Sequence, residues 1–419
     1  MLNIGIIGVG TVGTSVVKIL ESNKDIITAR AGVELKVVKG VVNNLNKDRG
    51  ISTPLTTDPE DILNDDTIDI VVELMGGVEE PCKIVTKALK SGKSVVTANK
   101  ALLAYHRYEL EALCNDNIAL GYEASTAGGI PIITALKNGL SANHIVSLKG
   151  IINGTCNYML TKMRDEGVAY ADILKESQDL GYAEADPSFD VGGFDAAHKL
   201  LILASIAYGI DAKPEDILIE GIENITQDDI AFAKEFGYEI KHLGIAKIDG
   251  SKVSLRVHAV LMPKEEMIAK IDGVMNGISV VGDRVGETLY YGPGAGGDAT
   301  ASAVIADLVD IARGTKGPML GFTKPLEFGL TLANKDDITS KYYFRMEVID
   351  EAGVLGKITS ILASESISIE TMLQRASGDT ANLLLSTHTA KESSIQKVLS
   401  EIESLTSVKS KPIIIRIEE

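Results

Sequence analysis

The chain has 419 residues, too many for one ordinary hydrophobic core, and at ~150 residues per domain it predicts two to four domains. A composition of 45% hydrophobic and 24% charged residues excludes a disordered chain, and Lys+Arg 41 against Asp+Glu 58 leaves −17, a field that repels phosphate backbones and argues against nucleic-acid or anionic-membrane partners. Three widely spaced cysteines, Cys82, Cys114 and Cys156, exclude a disulfide framework and show no metal-type pairing, so a cytoplasmic protein in a reducing compartment is expected.

The first residues, Met1-Leu2-Asn3-Ile4-Gly5-Ile6-Ile7, enter a strand at once, without the charged head, apolar stretch and cleavage site of a signal peptide. No apolar run approaches the ~18 residues of a membrane span. Strands over Asn3 to Ile7, Leu35 to Val42, Ile68 to Val72 and Ser94 to Thr97, with a helix over Thr11 to Leu20, predict an alternating α/β domain over 1–130. Several of these strands are continuous Val/Ile runs, which suit a parallel sheet covered on both faces. From about Pro131 to 325 the spacing changes to that of an α+β domain, with helices over Ala169 to Leu180 and Asp195 to Tyr208 and a strand over Val253 to Val260. A small-residue helical segment, Ala299 to Ala312 within 295–320, is expected to pack back on the first sheet. Cys82 falls at a helix start and Cys114 in a helical segment. The last unit, 341–419, reads strand (Tyr342 to Val348), helix (Val354 to Ser364), two strands (Ile369 to Arg375, Leu383 to Thr387), helix (Glu392 to Leu405), strand (Ile413 to Ile417), the ferredoxin-like βαββαβ order.

Gly8-Val9-Gly10-Thr11-Val12-Gly13 lies between a buried strand and a helix, the setting of a Rossmann-type dinucleotide turn. Its glycines allow a tight turn and close approach of a pyrophosphate, and Thr11 and Val12 open the helix that would hold it. Elsewhere the same pattern is only a Gly-rich turn. The acidic residue that grips a ribose 2′-hydroxyl is missing from Val41-Val42-Asn43-Asn44, and Lys47 and Arg49 follow. That favours the 2′-phosphate of NADP over NAD, with a solvated loop charge as the alternative. Lys100, in Thr97-Ala98-Asn99-Lys100, stands at the carboxyl end of a strand, where ligands bind in parallel sheets; on position alone a surface lysine at a helix start fits better. Asp195 and Lys199 share a helix face at i,i+4, preceded by the compact turn Gly181-Tyr182-Ala183-Glu184-Ala185-Asp186-Pro187 and by Asp190. A solvated salt-bridge face is the bland reading of that cluster.

These residues, with Val72-Glu73-Leu74-Met75-Gly76-Gly77, Ala98-Asn99-Lys100-Ala101-Leu102-Leu103 and Ile152-Asn153-Gly154-Thr155-Cys156-Asn157-Tyr158, resemble the homoserine dehydrogenase family over roughly residues 1 to 320. Val348-Ile349-Asp350-Glu351-Ala352-Gly353-Val354-Leu355 makes the C-terminal unit similar to an ACT domain. Two departures are Ala352 for the usual proline and Cys156 for the common threonine. The resemblance implies a catalytic and dimerisation domain over 131–325 and interconversion of L-homoserine and L-aspartate 4-semialdehyde with NAD(P)(H), on the route to threonine, methionine and isoleucine. It implies Lys199 as proton donor with Lys100 assisting, and Glu184, Asp195, Tyr182 and Asp190 at the substrate. Gly8, Gly10, Thr11, Val12, Gly13, Lys100 and Gly181 would meet the cofactor, and Gly294 and Gly296 of the loop Tyr291 to Gly297 would close over its nicotinamide side, a domain hinge being the alternative. The turn Glu123 to Pro131 is similar to the family's sodium site, with carbonyls and a carboxylate among Glu123, Thr126, Gly128 and Ile130, or is a plain inter-domain turn. Asp350, Gly353, Leu355, Ile367 and Ser368 would bind L-threonine as effector in a homodimer or homotetramer, or else the unit only assembles subunits. Deletion beyond about Asp337 is then expected to leave a working, threonine-insensitive enzyme.

Two rivals remain at this level. Aspartate-semialdehyde dehydrogenase shares the cofactor fold but needs a thiol nucleophile, and only Cys156 sits in a motif, with no histidine near it in sequence. A non-catalytic sensor of NADP and an amino acid would not need Glu184, Asp195, Lys199 and Lys100 together.

Overall fold

The Val/Ile runs of the first third pair side by side, as strands buried on both faces must. The computed structural model describes residues 1–314, 317–327 and 329–418, so Thr315, Lys316 and Glu419, which fall within the expected spans 295–320, 131–325 and 341–419, and Phe328 between those spans lie outside the described residues. Strands β1 (Leu2–Ile7), β2 (Leu35–Val41), β3 (Leu55–Thr56), β4 (Ile70–Glu73), β5 (Ser94–Thr97) and β6 (Leu120–Gly121) form one sheet in the order β3-β2-β1-β4-β5-β6, every pairing parallel. The order reverses between β1 and β4, so their carboxyl ends flank the crevice where such sheets take ligands. The helix Thr11–Ser22 buries Gly13, Val16, Val17 and Leu20, one stripe at helical spacing. The helix Gly297–Ala312 brings Ala301, Val304 and Leu308 into the same core. Cys82 lies in the helix Glu79–Lys90, but the helix Lys100–Glu111 ends before Cys114, which follows the turn Ala112-Leu113.

Further strands, in chain order, are β7 (Ile145–Ile151), β8 (Leu218–Ile219), β9 (Tyr238–Asp249), β10 (Lys252–Pro263), β11 (Met275–Gly282), β12 (Gly286–Pro293), β13 (Thr339–Ile349), β14 (Ile369–Ser377), β15 (Thr380–Thr387) and β16 (Ile413–Ile417). Where three consecutive spans were expected, contacts divide the chain into two discontinuous units. The first comprises Met1–Gly154, Asp195–Glu215 and Val274–Thr331, the second Thr155–Phe194, Asp216–Gly273 and Leu332–Glu419. Besides the parallel sheet, the first contains the antiparallel order β7-β11-β12.

In the second unit the βαββαβ elements fold as β16-β13-β15-β14, all antiparallel, with the helices Val354–Ser364 and Glu392–Glu403 packed through Ile358, Leu362, Ile395 and Val398 on one face. The other face, through Tyr343, Leu384 and Ile415, shares a core with Met159, Met163, Phe232 and Leu261. β16 pairs parallel with β10, which pairs antiparallel with β9, so one sheet runs through both parts of this unit.

Candidate active site

Gly8 has φ +103°, and a Cβ there would lie 2.6 Å from the Leu74 carbonyl oxygen; one on Gly13 would lie 2.7 Å from that of Gly8. Both positions therefore require glycine. Above Gly10 nothing lies within 4 Å, which leaves a cradle that a phosphate can enter. The helix beginning at Thr11 has neither a side-chain cap nor an acidic residue in its first turn, so its N–H groups of Thr11 and Val12 face that space. The helix Gly297–Ala312 starts beside it, since a Cβ on Gly297 would meet Ser15 Oγ at 2.9 Å and Thr11 Cγ2 at 3.2 Å. Its N-cap, Gly296, has φ +122°, and Gly294 fits against the Asn276 carboxamide, whose Oδ1 would lie 1.7 Å from a Cβ. The loop expected on the nicotinamide side thus runs to the phosphate end of the first helix. The second helix carries Asp298 in its first turn, so the first is the stronger anion site.

At the end of β2, Arg49 donates through Nε to the Val9 carbonyl (2.7 Å) and through Nη1 to those of Asn44 (3.0 Å) and Lys47 (2.8 Å). This ties the basic loop to the glycine turn. Lys47 is exposed.

The cluster of Lys100, Asp195 and Lys199 is built on two helices of the first unit. Asn99 caps the helix Lys100–Glu111 by accepting from the Leu102 amide (3.0 Å), so Lys100 is its first residue. Asp195, 2% exposed, stands in the first turn of the helix Phe194–Tyr208, with Lys199 one turn on. Lys100 Nζ forms an ion pair with Asp195 Oδ1, and Lys199 Nζ donates to Oδ2 at 2.7 Å. Asn153 Nδ2 also donates to Oδ2 (2.9 Å), and Lys199 Nζ donates to the Ile152 carbonyl (2.7 Å). Burial alone would raise the Asp195 carboxyl, but the ammonium groups of Lys199 and Lys100 outweigh it and hold the pKa well below the usual carboxylate range. Asp195 is therefore an anion clamped between two lysines. Both of its oxygens bind the chain's own donors, which suits holding the lysines more than receiving a substrate ammonium. Asn153 and Ile152 escaped the sequence reading as clamp residues, although their block was noticed, because their contact spans 42 residues or more.

The remaining substrate residues belong to the second unit. Gly181 has φ +75° and ends the turn after the helix Tyr170–Asp179. Tyr182 is 45% exposed, meets the Tyr158 ring edge-on at 5.1 Å, and its carbonyl accepts from Thr155 Oγ1 (2.7 Å). Glu184 has an exposed side chain, while its backbone oxygen accepts from Gln178 (3.1 Å). Asp190 is held through its backbone, accepting from Cys156 Sγ (3.3 Å), and the next residue, Val191, accepts from the Ile222 amide (3.0 Å). Cys156 is buried in the core of this unit.

In the turn after β6 the Glu123 carboxylate accepts from the Ile133 and Thr134 amides (2.8 Å each) and the Thr134 hydroxyl (2.7 Å). It caps a helix start, so three of the chain's own donors already engage the carboxylate expected among the cation ligands. Thr126 Oγ1 is buried without a hydrogen-bond partner among the described residues, and the Ile130 carbonyl accepts from the Ile132 amide (2.8 Å). Among the described residues no three metal-ligating side chains cluster.

In the C-terminal unit Gly353, φ +90°, turns β13 into its helix, and Asp350 accepts from Gln374 (3.0 Å) beside it. Leu355 packs on the edge of the core and Ser368 accepts from the His388 amide (2.9 Å). Ile367 is 6% exposed inside that core, so its side chain is a packing residue and not a surface contact.

Residues 131–309 match the homoserine dehydrogenase family, residues 8–119 its NAD-binding domain and residues 342–406 the ACT domain. A homoserine dehydrogenase of Helicobacter pylori is 54% identical over 419 residues, covering 100% of this chain and 99% of its own. The chain belongs to the homoserine dehydrogenase family. It is an oxidoreductase with a nicotinamide-binding domain and an ACT domain. The crystal structure of a homoserine dehydrogenase from Thiobacillus denitrificans is 45% identical and superposes with a TM-score of 0.94 over 100% of this chain and 98% of that one. A hyperthermophilic archaeal homoserine dehydrogenase in complex with NADPH is 26% identical, TM-score 0.65, over 76% of this chain and 99% of that one. In this chain the two lysines clamped on Asp195 come from the helix that follows β5 and from the helix Phe194–Tyr208. No helix among the described residues is long and apolar enough to cross a membrane.

Proposed function

We propose that the enzyme interconverts L-homoserine and L-aspartate 4-semialdehyde in the cytoplasm, using NADP with NAD as the alternative, on the route to threonine, methionine and isoleucine. The carrying observation is Asp195 held between Lys100 and Lys199. The cradle over Gly10, bounded by Gly8, Gly13 and the amides of Thr11 and Val12, fits a diphosphate, with Gly294 and Gly296 on the loop beside it. When bound, the nicotinamide supplies the hydride. Reduction leaves negative charge on the aldehyde oxygen, and an ammonium fixed beside it stabilises that charge and gives up a proton. Lys199 does this, aimed by Ile152 and Asp195; Lys100, sharing the same carboxylate, adds positive potential and borders the cofactor. Asp195 keeps both aligned. Glu184 takes the substrate ammonium, with Tyr182, Asp190 and the Gly181 backbone completing the amino-acid side of the site.

A sodium ion fits the carbonyls of Glu123, Thr126 and Gly128, with Thr126 Oγ1 as the buried oxygen that lacks another partner. The ACT unit binds L-threonine at Asp350, Gly353, Leu355 and the backbone of Ile367 and Ser368, and homodimers or homotetramers form through such units. The test follows reduced-nicotinamide absorbance with L-homoserine plus NADP or NAD, then with threonine added. Turnover faster with NADP, and several-fold slower at millimolar threonine, is expected. NADP binding without homoserine turnover would overturn the catalytic assignment, and a rate indifferent to threonine would leave the ACT unit as an assembly module.

A further inference from the structure

Glu73 closes β4 with a fully buried carboxylate, 0% exposed, that among the described residues joins no ion pair. A carboxylate out of water with no countercharge is costly unless donors surround it. Here the donors come from both strand ends that border the crevice. Oε1 accepts from the Met75 amide (2.6 Å), and Oε2 accepts from the Thr97 hydroxyl (2.6 Å), on the residue paired with Glu73 across the sheet. Thr97 Oγ1 accepts in turn from the Asn99 amide (3.0 Å). Asn99 passes the constraint on twice: its Oδ1 caps the helix at Leu102 and its Nδ2 donates to the Gly77 carbonyl (2.9 Å). The first residue of that helix is Lys100, paired with Asp195.

We propose that Glu73 is a positioning residue, which through Thr97 and Asn99 sets the helix start that aims Lys100 at Asp195. This rests on the role given to Lys100 above. Two donors converge from two strands on the two carboxylate oxygens; glutamine would keep one acceptor for the Met75 amide but turn its NH2 donor toward Thr97 Oγ1, leaving the Thr97 hydroxyl proton without its buried acceptor. An apolar residue would leave the Met75 amide and the Thr97 hydroxyl buried without partners. Either change releases the turn Thr97-Ala98-Asn99, and a displacement of about 1 Å at a reacting group can lower turnover by about 10²-fold.

The test measures kcat, KM for homoserine and NADPH affinity in Glu73→Gln, Thr97→Val and Thr97→Ser, with the first two also on a Lys100→Ala background. Glu73→Gln and Thr97→Val should each lower kcat tenfold or more, while NADPH affinity stays within about threefold and Thr97→Ser, which keeps the hydroxyl, stays within about twofold of the parent. On the Lys100→Ala background neither should lower kcat by more than about twofold, because the group they position is gone. Retention of most kcat in Thr97→Val, or losses that multiply in full on the Lys100→Ala background, would overturn the proposal while leaving the role of Lys100 intact. Parental kcat in Lys100→Ala itself would remove that role and the proposal together. Thr97→Val exchanges a hydroxyl for a methyl at constant volume, so it carries the test even if Glu73→Gln does not fold.

Discussion

At the Lys199 ammonium, two hydrogen bonds to acceptors held by different parts of the first unit decide direction, and direction is what a proton donor needs. Lys199→Ala is therefore expected to lower kcat by roughly 10²-fold or more with cofactor affinity nearly unchanged; near-parental kcat would refute the assignment. The role proposed for Glu184 differs, since a carboxylate that holds the substrate ammonium in ground and transition states alike contributes uniform binding. Glu184→Ala should raise KM for homoserine strongly at similar kcat, and an unchanged KM removes it from the site. For cofactor choice the structure sharpens the experiment. Arg49 is bound to three carbonyls of the glycine turn and its own loop, so its loss would disturb both cofactors, whereas exposed Lys47 can be removed cleanly. Lys47→Ala should weaken NADP binding more than NAD binding in a fluorescence titration, because only NADP carries the 2′-phosphate; equal losses would place that charge elsewhere.

At the scale of single elements, β10 carries a titrating group in an unusual place. His258 is 0% exposed; its ring nitrogen Nδ1 lies 2.8 Å from the Ala259 carbonyl. Burial, then the charges of Arg416 and Arg256 and a smaller effect of His242, push its pKa well below the ordinary 6.5. A folded-state pKa below the unfolded one gives stability that is present above about pH 6.5 and is lost as pH falls, because the unfolded chain takes up a proton that the folded chain refuses. The loss is up to about 1.4 kcal/mol per pH unit below that value. In urea titrations at about pH 7.5 and 5.5, His258→Gln should show a smaller fall of midpoint than the parent; an identical fall would show that other groups set the acid limit. Most elements themselves were legible in sequence. The helix Val354–Ser364 and strands β5 and β16 stand where Val/Ile runs and turn residues placed them, because their cues are local. Cys114 was misplaced because the helix before it has no glycine or proline stop, only the turn Ala112-Leu113. The clamp on Asp195 was only half visible: Lys199 announces itself four residues on, but Asn153 and Ile152 reach it through a fold that no local pattern encodes.

For the whole molecule, the division into two discontinuous units changes what can be cut away. β16 lies between β10 and β13, pairing Val260 with Arg416 and Leu261 with Ile417 on one side and Tyr342 with Arg416 on the other. Arg416, 0% exposed, donates to both oxygens of Glu220 (2.7 and 2.9 Å) and both of Glu392 (2.9 and 2.7 Å), and Arg256 pairs with Glu418. Deletion beyond Asp337 would strip a strand from β10, bare Leu261 and Phe232, and remove the carboxylate partner of Arg256. Against the expectation of a working truncated enzyme, the structure predicts that the shortened chain is aggregated on size exclusion; a monodisperse, active product would overturn that prediction. The same strand arrangement governs assembly on the ribosome. β10 emerges long before β16, so its edge at Val260 and Leu261 waits without that partner strand through the synthesis of most of the ACT unit. The ACT unit and β10 thus share one folding event, and a variant that slows the late strand endangers the whole of that sheet and not the ACT unit alone.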